Sequence, residues 1–156
     1  MRDRVWRITK ERYATNDPLS CEGARLAPGR WHPKGIPVLY TAFSLSLAAL
    51  EAFVHLPSRR WLPSDLIAVE IDISAISVEE IDHTKLPNGW DAPFPLGETQ
   101  EIGARWVKEQ RTCGLDVPSA VIPYERNLLL NPAHPGFSRA TVLGLRPFRF
   151  DARMAR

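Results

Sequence analysis

The chain has 156 residues, with 20 Lys and Arg against 18 Asp and Glu, a net charge of +2, 44% hydrophobic residues and 24% charged ones. That length suits one domain with a real core and is short for two, and the composition excludes a disordered chain. The near-even charge gives no bulk drive toward nucleic acid or an anionic membrane, and leaves only a local basic site open.

In chain order, Val5–Ile8 alternates and predicts a short strand. Asn16–Gly35 holds three glycines and three prolines and reads as a long loop, a kind of segment that in compact domains usually serves function. Pro37–Ala42 predicts a strand, and Ser44 caps a helix over Leu45–Leu56. Leu66–Ile73 predicts a strand, Ser77–Ile81 a short helical turn and Leu86–Leu96 an ordered loop around Trp90. Glu98–Cys113 has the apolar spacing of an amphipathic helix, with Gly114 as its C-cap. Strands follow at Val117–Ile122, Asn127–Asn131 and Val142–Phe150, with a turn-rich loop at Pro132–Ser138. This order predicts an α+β fold: a single domain over residues 1–156, with a bent, mixed sheet and flanking helices.

Cys21 and Cys113 form no CxxC pair and no Cys/His cluster at ligand spacing, so they read as reduced thiols and no metal site is predicted. The first residues carry charges without an apolar run, unlike a secretory signal, and Leu45–Leu56 is too short to span a bilayer. The expectation is a cytoplasmic protein with no membrane partner. No Walker A, GxGxxG or GxSxG pattern is present.

Four residues stand out for chemistry. Glu51 lies in an otherwise apolar helix, on a face with Ser44, Ala48 and His55. A carboxylate there needs a partner, such as His55 or an Arg, or a ligand. Arg30 follows Gly29 in the long loop and has the shape to hold a phosphate or carboxylate; the alternative is an Arg that pins a loop through carbonyls. Tyr40 ends a strand and offers a stacking face and a hydroxyl, or simple core packing. Ser119 interrupts an apolar strand, either facing a pocket or bonding backbone.

Taken together, LSCEGA at 19–24, GRWHPKG at 29–35, VLYTA at 38–42 and ALE at 49–51 resemble the RES-domain toxin family. The later segments Leu86–Trp90, Val117–Ala120, Asn127, Asn131–Pro135 and Phe148–Asp151 follow in the family's order. Two departures are visible: Cys21 stands where Gly is frequent, and His32 where Asn is common.

The resemblance implies an ADP-ribosyltransferase-like fold and a toxin of a toxin–antitoxin pair that acts on NAD as substrate, without a metal. It places Arg30, Tyr40, Glu51 and Ser119 as catalytic residues. NAD would be bound by Arg30, Trp31, His32, Tyr40, Glu51, Ser119 and Asn127. It further implies cleavage of the nicotinamide–ribose bond with depletion of NAD by hydrolysis or phosphorolysis, or else mono-ADP-ribosylation of a cellular protein. The implied partner is a cognate Xre-like helix-turn-helix antitoxin, through which alone the toxin would meet DNA. A ribonuclease using His32 and His55, and a non-catalytic binding module gripping through Arg30, remain as other classes.

Overall fold

Seven strands form one mixed sheet in the computed structural model, which describes residues 2–156. The strands are β1 (Arg4–Lys10), β2 (Leu39–Ala42), β3 (Leu66–Asp72), β4 (Val78–Glu80), β5 (Gly114–Pro118), β6 (Arg126–Leu130) and β7 (Thr141–Phe148), ordered β4-β5-β6-β2-β1-β3-β7. The β4–β5 pair is parallel and every other pair antiparallel. Four helices accompany them: α1 (Glu11–Asn16), α2 (Glu22–Leu26), α3 (Leu45–Val54) and α4 (Gly97–Glu109). The architecture is α+β.

The seam between β1 and β2 is what positions the site. β1 runs beside β3 from Arg4↔Asp72 to Lys10↔Leu66, yet meets β2 in register only at Trp6↔Ala42. The sheet therefore parts beyond that pair, and a cavity of about 1060 Å³ opens between Trp6–Ile8 of β1 and Leu39–Ala42 of β2. The side-chain alternation of strands then decides which residues of β2 and β6 share a face. Tyr40 lies opposite Leu129 and Ala42 opposite Asn127, so these four face one side together.

Two helices cover that side. α3 packs on β1 and β2 through Leu47 and Ala48, with Ser44 accepting the Leu47 N–H as N-cap. α4 buries Trp106 against Trp31, Val38, Leu115 and Leu129. Gly103 lets this helix approach: a Cβ there would collide with the Trp31 carbonyl. The opposite side is filled by Val5, Leu39, Val69, Ile71, Leu128 and Leu130, with Leu19, Cys21 and Phe137 packed on them.

Several local expectations are corrected. The long loop contains α2, and α1 precedes it at once after β1. Residues 78–80 form a strand rather than a helical turn, because β5 offers them a parallel partner. The last long helix ends at Glu109 and closes on Gln110 in the left-handed region (φ 51°), so Gly114 is not its cap but the first residue of β5. That strand starts and stops earlier than expected, which puts Ser119 just past its end.

Candidate active site

Glu51 projects from α3 into the cavity wall, and its partners come from the far half of the chain. Its Oε1 accepts the Ser119 hydroxyl at 2.7 Å and the Asn127 side-chain amide at 2.6 Å. The direction of the first bond is fixed. Ser119 Oγ already accepts the backbone N–H groups of Val121 and Ile122, which occupy its lone pairs and leave the O–H to donate. Ser119 is fully buried and stands behind Glu51, outside the residues that line the cavity. Asn127 does line it, and its Oδ1 is buried without a partner. Because Nδ2 serves Glu51, the orphan is the carbonyl oxygen, which is buried away from the cavity surface. The His55 partner considered for Glu51 is not the one used; His55 caps the end of α3 and is exposed.

Tyr40 sits across the same wall. Its hydroxyl oxygen accepts the Trp31 N–H at 3.1 Å and lies 2.7 Å from His32 Nδ1. Burial, above all, pushes the phenol's pKa well above its ordinary value, with the Glu51 charge adding to the effect and the Trp31 N–H and Arg30 opposing it. The proton therefore stays on. His32 is buried, and its Nε2 is 2.8 Å from the carbonyls of both Ala24 and Ala27. Gly29 makes room for this cluster: a Cβ there would come within 2.7 Å of both the His32 ring and the Tyr40 oxygen.

Arg30 lines the cavity but is engaged with protein. Its two terminal nitrogens donate to the carbonyls of Trp90 (2.6 Å) and Ala92 (2.7 Å), so it pins the segment whose Asp91, Pro93 and Pro95 form part of the wall. Three of a guanidinium's five N–H groups remain for a ligand. Trp31 is 2% exposed and packs chiefly in the core under α4, with only an edge in the wall.

Arg7 was missed in the sequence, where Val5–Ile8 read only as a strand. It lines the cavity from β1, donates to the Pro18 carbonyl at 2.9 Å, and has its pKa lowered, first of all by burial. The available signal was its position in alternation with fully buried Val5. Among the described residues, neither Arg7 nor Arg30 makes an ion pair with a carboxylate. Asp17 acts on Arg7 from beyond ion-pair distance, and half-buried cations without a directly paired carboxylate favour an anionic ligand. No cluster of three or more His, Cys, Asp or Glu suited to a metal ion occurs among the described residues, and no helix is long and apolar enough to cross a membrane.

A family model described as the RES domain matches residues 4–151. A protein of Photorhabdus laumondii named Toxin Res is 39% identical, with 97% of each chain covered. A Sphingobium protein named Prs ADP-ribosylating toxin is 41% identical over 97% of this chain and 96% of its own. The fold also resembles the crystal structure of the M. tuberculosis MbcT–MbcA toxin–antitoxin complex, with a TM-score of 0.70 and 20% identity over 97% of this chain and 86% of that one.

Proposed function

The chain belongs to the RES domain family, and on that premise we propose that it is a toxin that breaks the nicotinamide–ribose bond of NAD. The observation that carries this reading is the presence in one cavity of a fixed carboxylate and two cations bonded only to carbonyls among the described residues. Glu51 Oε1 is held by two donors, and among the described residues its Oε2 makes no hydrogen bond, while Arg7 and Arg30 line the same cavity without an ion pair to a carboxylate.

The chemistry follows from that polarity. When the bond between C1′ and the pyridinium nitrogen breaks, its electron pair leaves with nicotinamide, which departs neutral and needs no proton. Positive charge builds on the ribose, as in glycoside cleavage. A carboxylate already oriented by Ser119 and Asn127 stabilises that charge without reorganising. Arg7 and the remaining Arg30 donors hold the pyrophosphate. Tyr40 accepts a hydrogen bond from the substrate. A water oxygen then bonds C1′ and loses its proton to bulk water, or an ionised phosphate oxygen bonds C1′ with no proton to lose. Ser119 acts through Glu51 and is a positioning residue.

A second reading differs only in the acceptor: ADP-ribose passes to a protein side chain. The name of the Sphingobium relative favours it. The likeness to a toxin–antitoxin complex supports a protein antitoxin as partner, for which an Xre-like helix-turn-helix protein is the proposal. A ribonuclease using His32 is disfavoured, since both ring nitrogens of this buried residue are engaged with protein groups. Incubation with NAD, with and without phosphate, followed by chromatography of the products, tests the reading. Intact NAD together with no label on any protein from labelled NAD rejects both acceptor classes.

A further inference from the structure

We propose that His32 is a positioning residue that makes the Tyr40 hydroxyl an acceptor toward the cavity, so that this wall selects an uncharged donor group over a carboxylate. The identity of that group, the carboxamide of nicotinamide, rests on the reading above; the hydrogen-bond polarity does not.

The argument starts at the far side of the ring. His32 Nε2 has two carbonyl oxygens, Ala24 and Ala27, at 2.8 Å and nothing to accept from, so it carries a hydrogen. In the neutral ring Nδ1 is then an acceptor, and its neighbour at 2.7 Å is Tyr40 Oη. The phenol must donate to it. The same oxygen already accepts the Trp31 N–H, which leaves one lone pair and no hydrogen for the cavity. Gly29 is part of the device, because any side chain there would enter the space of the ring and the hydroxyl.

The neighbouring wall has the same sign. Glu51 lines the cavity, and its Oε2 is an acceptor that makes no hydrogen bond among the described residues. Two acceptors, Tyr40 Oη and Glu51 Oε2, satisfy a ligand face that carries N–H or O–H groups and oppose a carboxylate, whose oxygens would face lone pairs. The cation close enough to act on the phenol is Arg30, whose terminal nitrogens are turned to Trp90 and Ala92.

Two measurements on the full chain test it. NMR of isotope-labelled histidine, assigned with a His32→Phe variant, reads the ring tautomer without any substrate. Hydrogen on Nε2 alone is expected; hydrogen on Nδ1 alone, or on both nitrogens at neutral pH, overturns the proposal. Chemical-shift titrations with nicotinamide and with nicotinate read the selectivity. The wild type should prefer nicotinamide by about tenfold or more, the factor one well-placed hydrogen bond supplies. In His32→Phe the phenol proton is free to turn inward, and the preference should fall severalfold. An unchanged preference in that variant contradicts the proposal. Should His32→Phe not fold, His32→Gln takes its place, and assigning the other three histidines by substitution identifies the His32 signal. Binding of neither ligand rejects the carboxamide assignment, and with it the pyridine end of the NAD reading, while the tautomer still decides the polarity.

Discussion

Ser119 and Glu51 meet across 68 residues of sequence, and the serine's hydroxyl donates to the carboxylate oxygen at 2.7 Å because both of its own lone pairs are taken by the N–H groups of Val121 and Ile122. The contact joins the turn after β5 to the middle of α3 and leaves the second carboxylate oxygen to the cavity. In the proposed mechanism the serine supports the acid from behind the cavity lining.

Replacing Ser119 by Ala should therefore cost stability and activity together. Two half-buried backbone donors lose their acceptor, and a group left unpaired away from water costs about 1–3 kcal/mol. At this chain length that lowers the melting temperature by roughly 3–10 °C. Turnover should fall by about tenfold, less than for loss of Glu51, since the carboxylate survives with one fewer tether. Thermal unfolding and initial-rate assays check both halves. A stable variant with abolished turnover would instead place Ser119 in contact with substrate.

Removing Arg30 should loosen the wall as well as weaken the substrate. Its two bonds to Trp90 and Ala92 are lost in Arg30→Ala, so limited proteolysis between Leu86 and Leu96 should become faster. The apparent KM for NAD should rise. Arg30→Lys keeps the charge but has a single ammonium where a forked donor is needed, and should restore KM only in part. Unaltered proteolysis in Arg30→Ala would show that the loop does not depend on this residue.

Gly29→Ala should be destabilising although glycine here has ordinary backbone angles. The added Cβ would lie 2.7 Å from the Tyr40 oxygen and from the His32 ring, so one of them must move. A cost of about 1–3 kcal/mol is expected for such overpacking, read by denaturant unfolding, with a loss of the His32–Tyr40 hydrogen bond read by histidine NMR.

Cys21 lines the cavity, and burial, opposed by Arg7 and assisted by Asp17, pushes its thiol up to about 11. Only the thiolate alkylates, so at pH 8 iodoacetamide should modify Cys21 about a hundredfold more slowly than a free cysteine. The rate should climb as pH rises toward 11, because the folded-state value, not the free one, sets the thiolate fraction. NAD should slow it further at every pH. Mass spectrometry of the Cys21 peptide measures this, and fast modification at pH 8 would place the thiol outside the cavity.

Much of this organisation was legible in the residues. The alternation of Leu66–Ile73 and the Ser44-capped apolar run gave β3 and α3 almost to their ends, and a carboxylate inside that run marked Glu51. What escaped depends on distant partners. Residues 78–80 are a strand only because β5 lies beside them, and Gln110 takes a left-handed cap that sequence preference assigns to Gly114. Arg7 drew no reading of its own within a short strand because nothing local shows that β1 and β2 part at Trp6↔Ala42. The ordered match to a family brought Arg30, Tyr40, Glu51 and Ser119 together before any geometry did. Geometry then separated their roles: Glu51 and Tyr40 face the cavity, Arg30 also ties down its wall, and Ser119 stands behind.

The central claim is that Glu51 stabilises the breaking nicotinamide–ribose bond, and nicotinamide release by Glu51→Gln against wild type tests it most directly. The glutamine oxygen still accepts from Ser119 and Asn127, so circular dichroism and melting should match wild type. Wild type should release one nicotinamide per NAD consumed, and Glu51→Gln should do so about a hundred- to a thousandfold more slowly. Equal rates in the two proteins, or NAD left intact by the wild type, would contradict it.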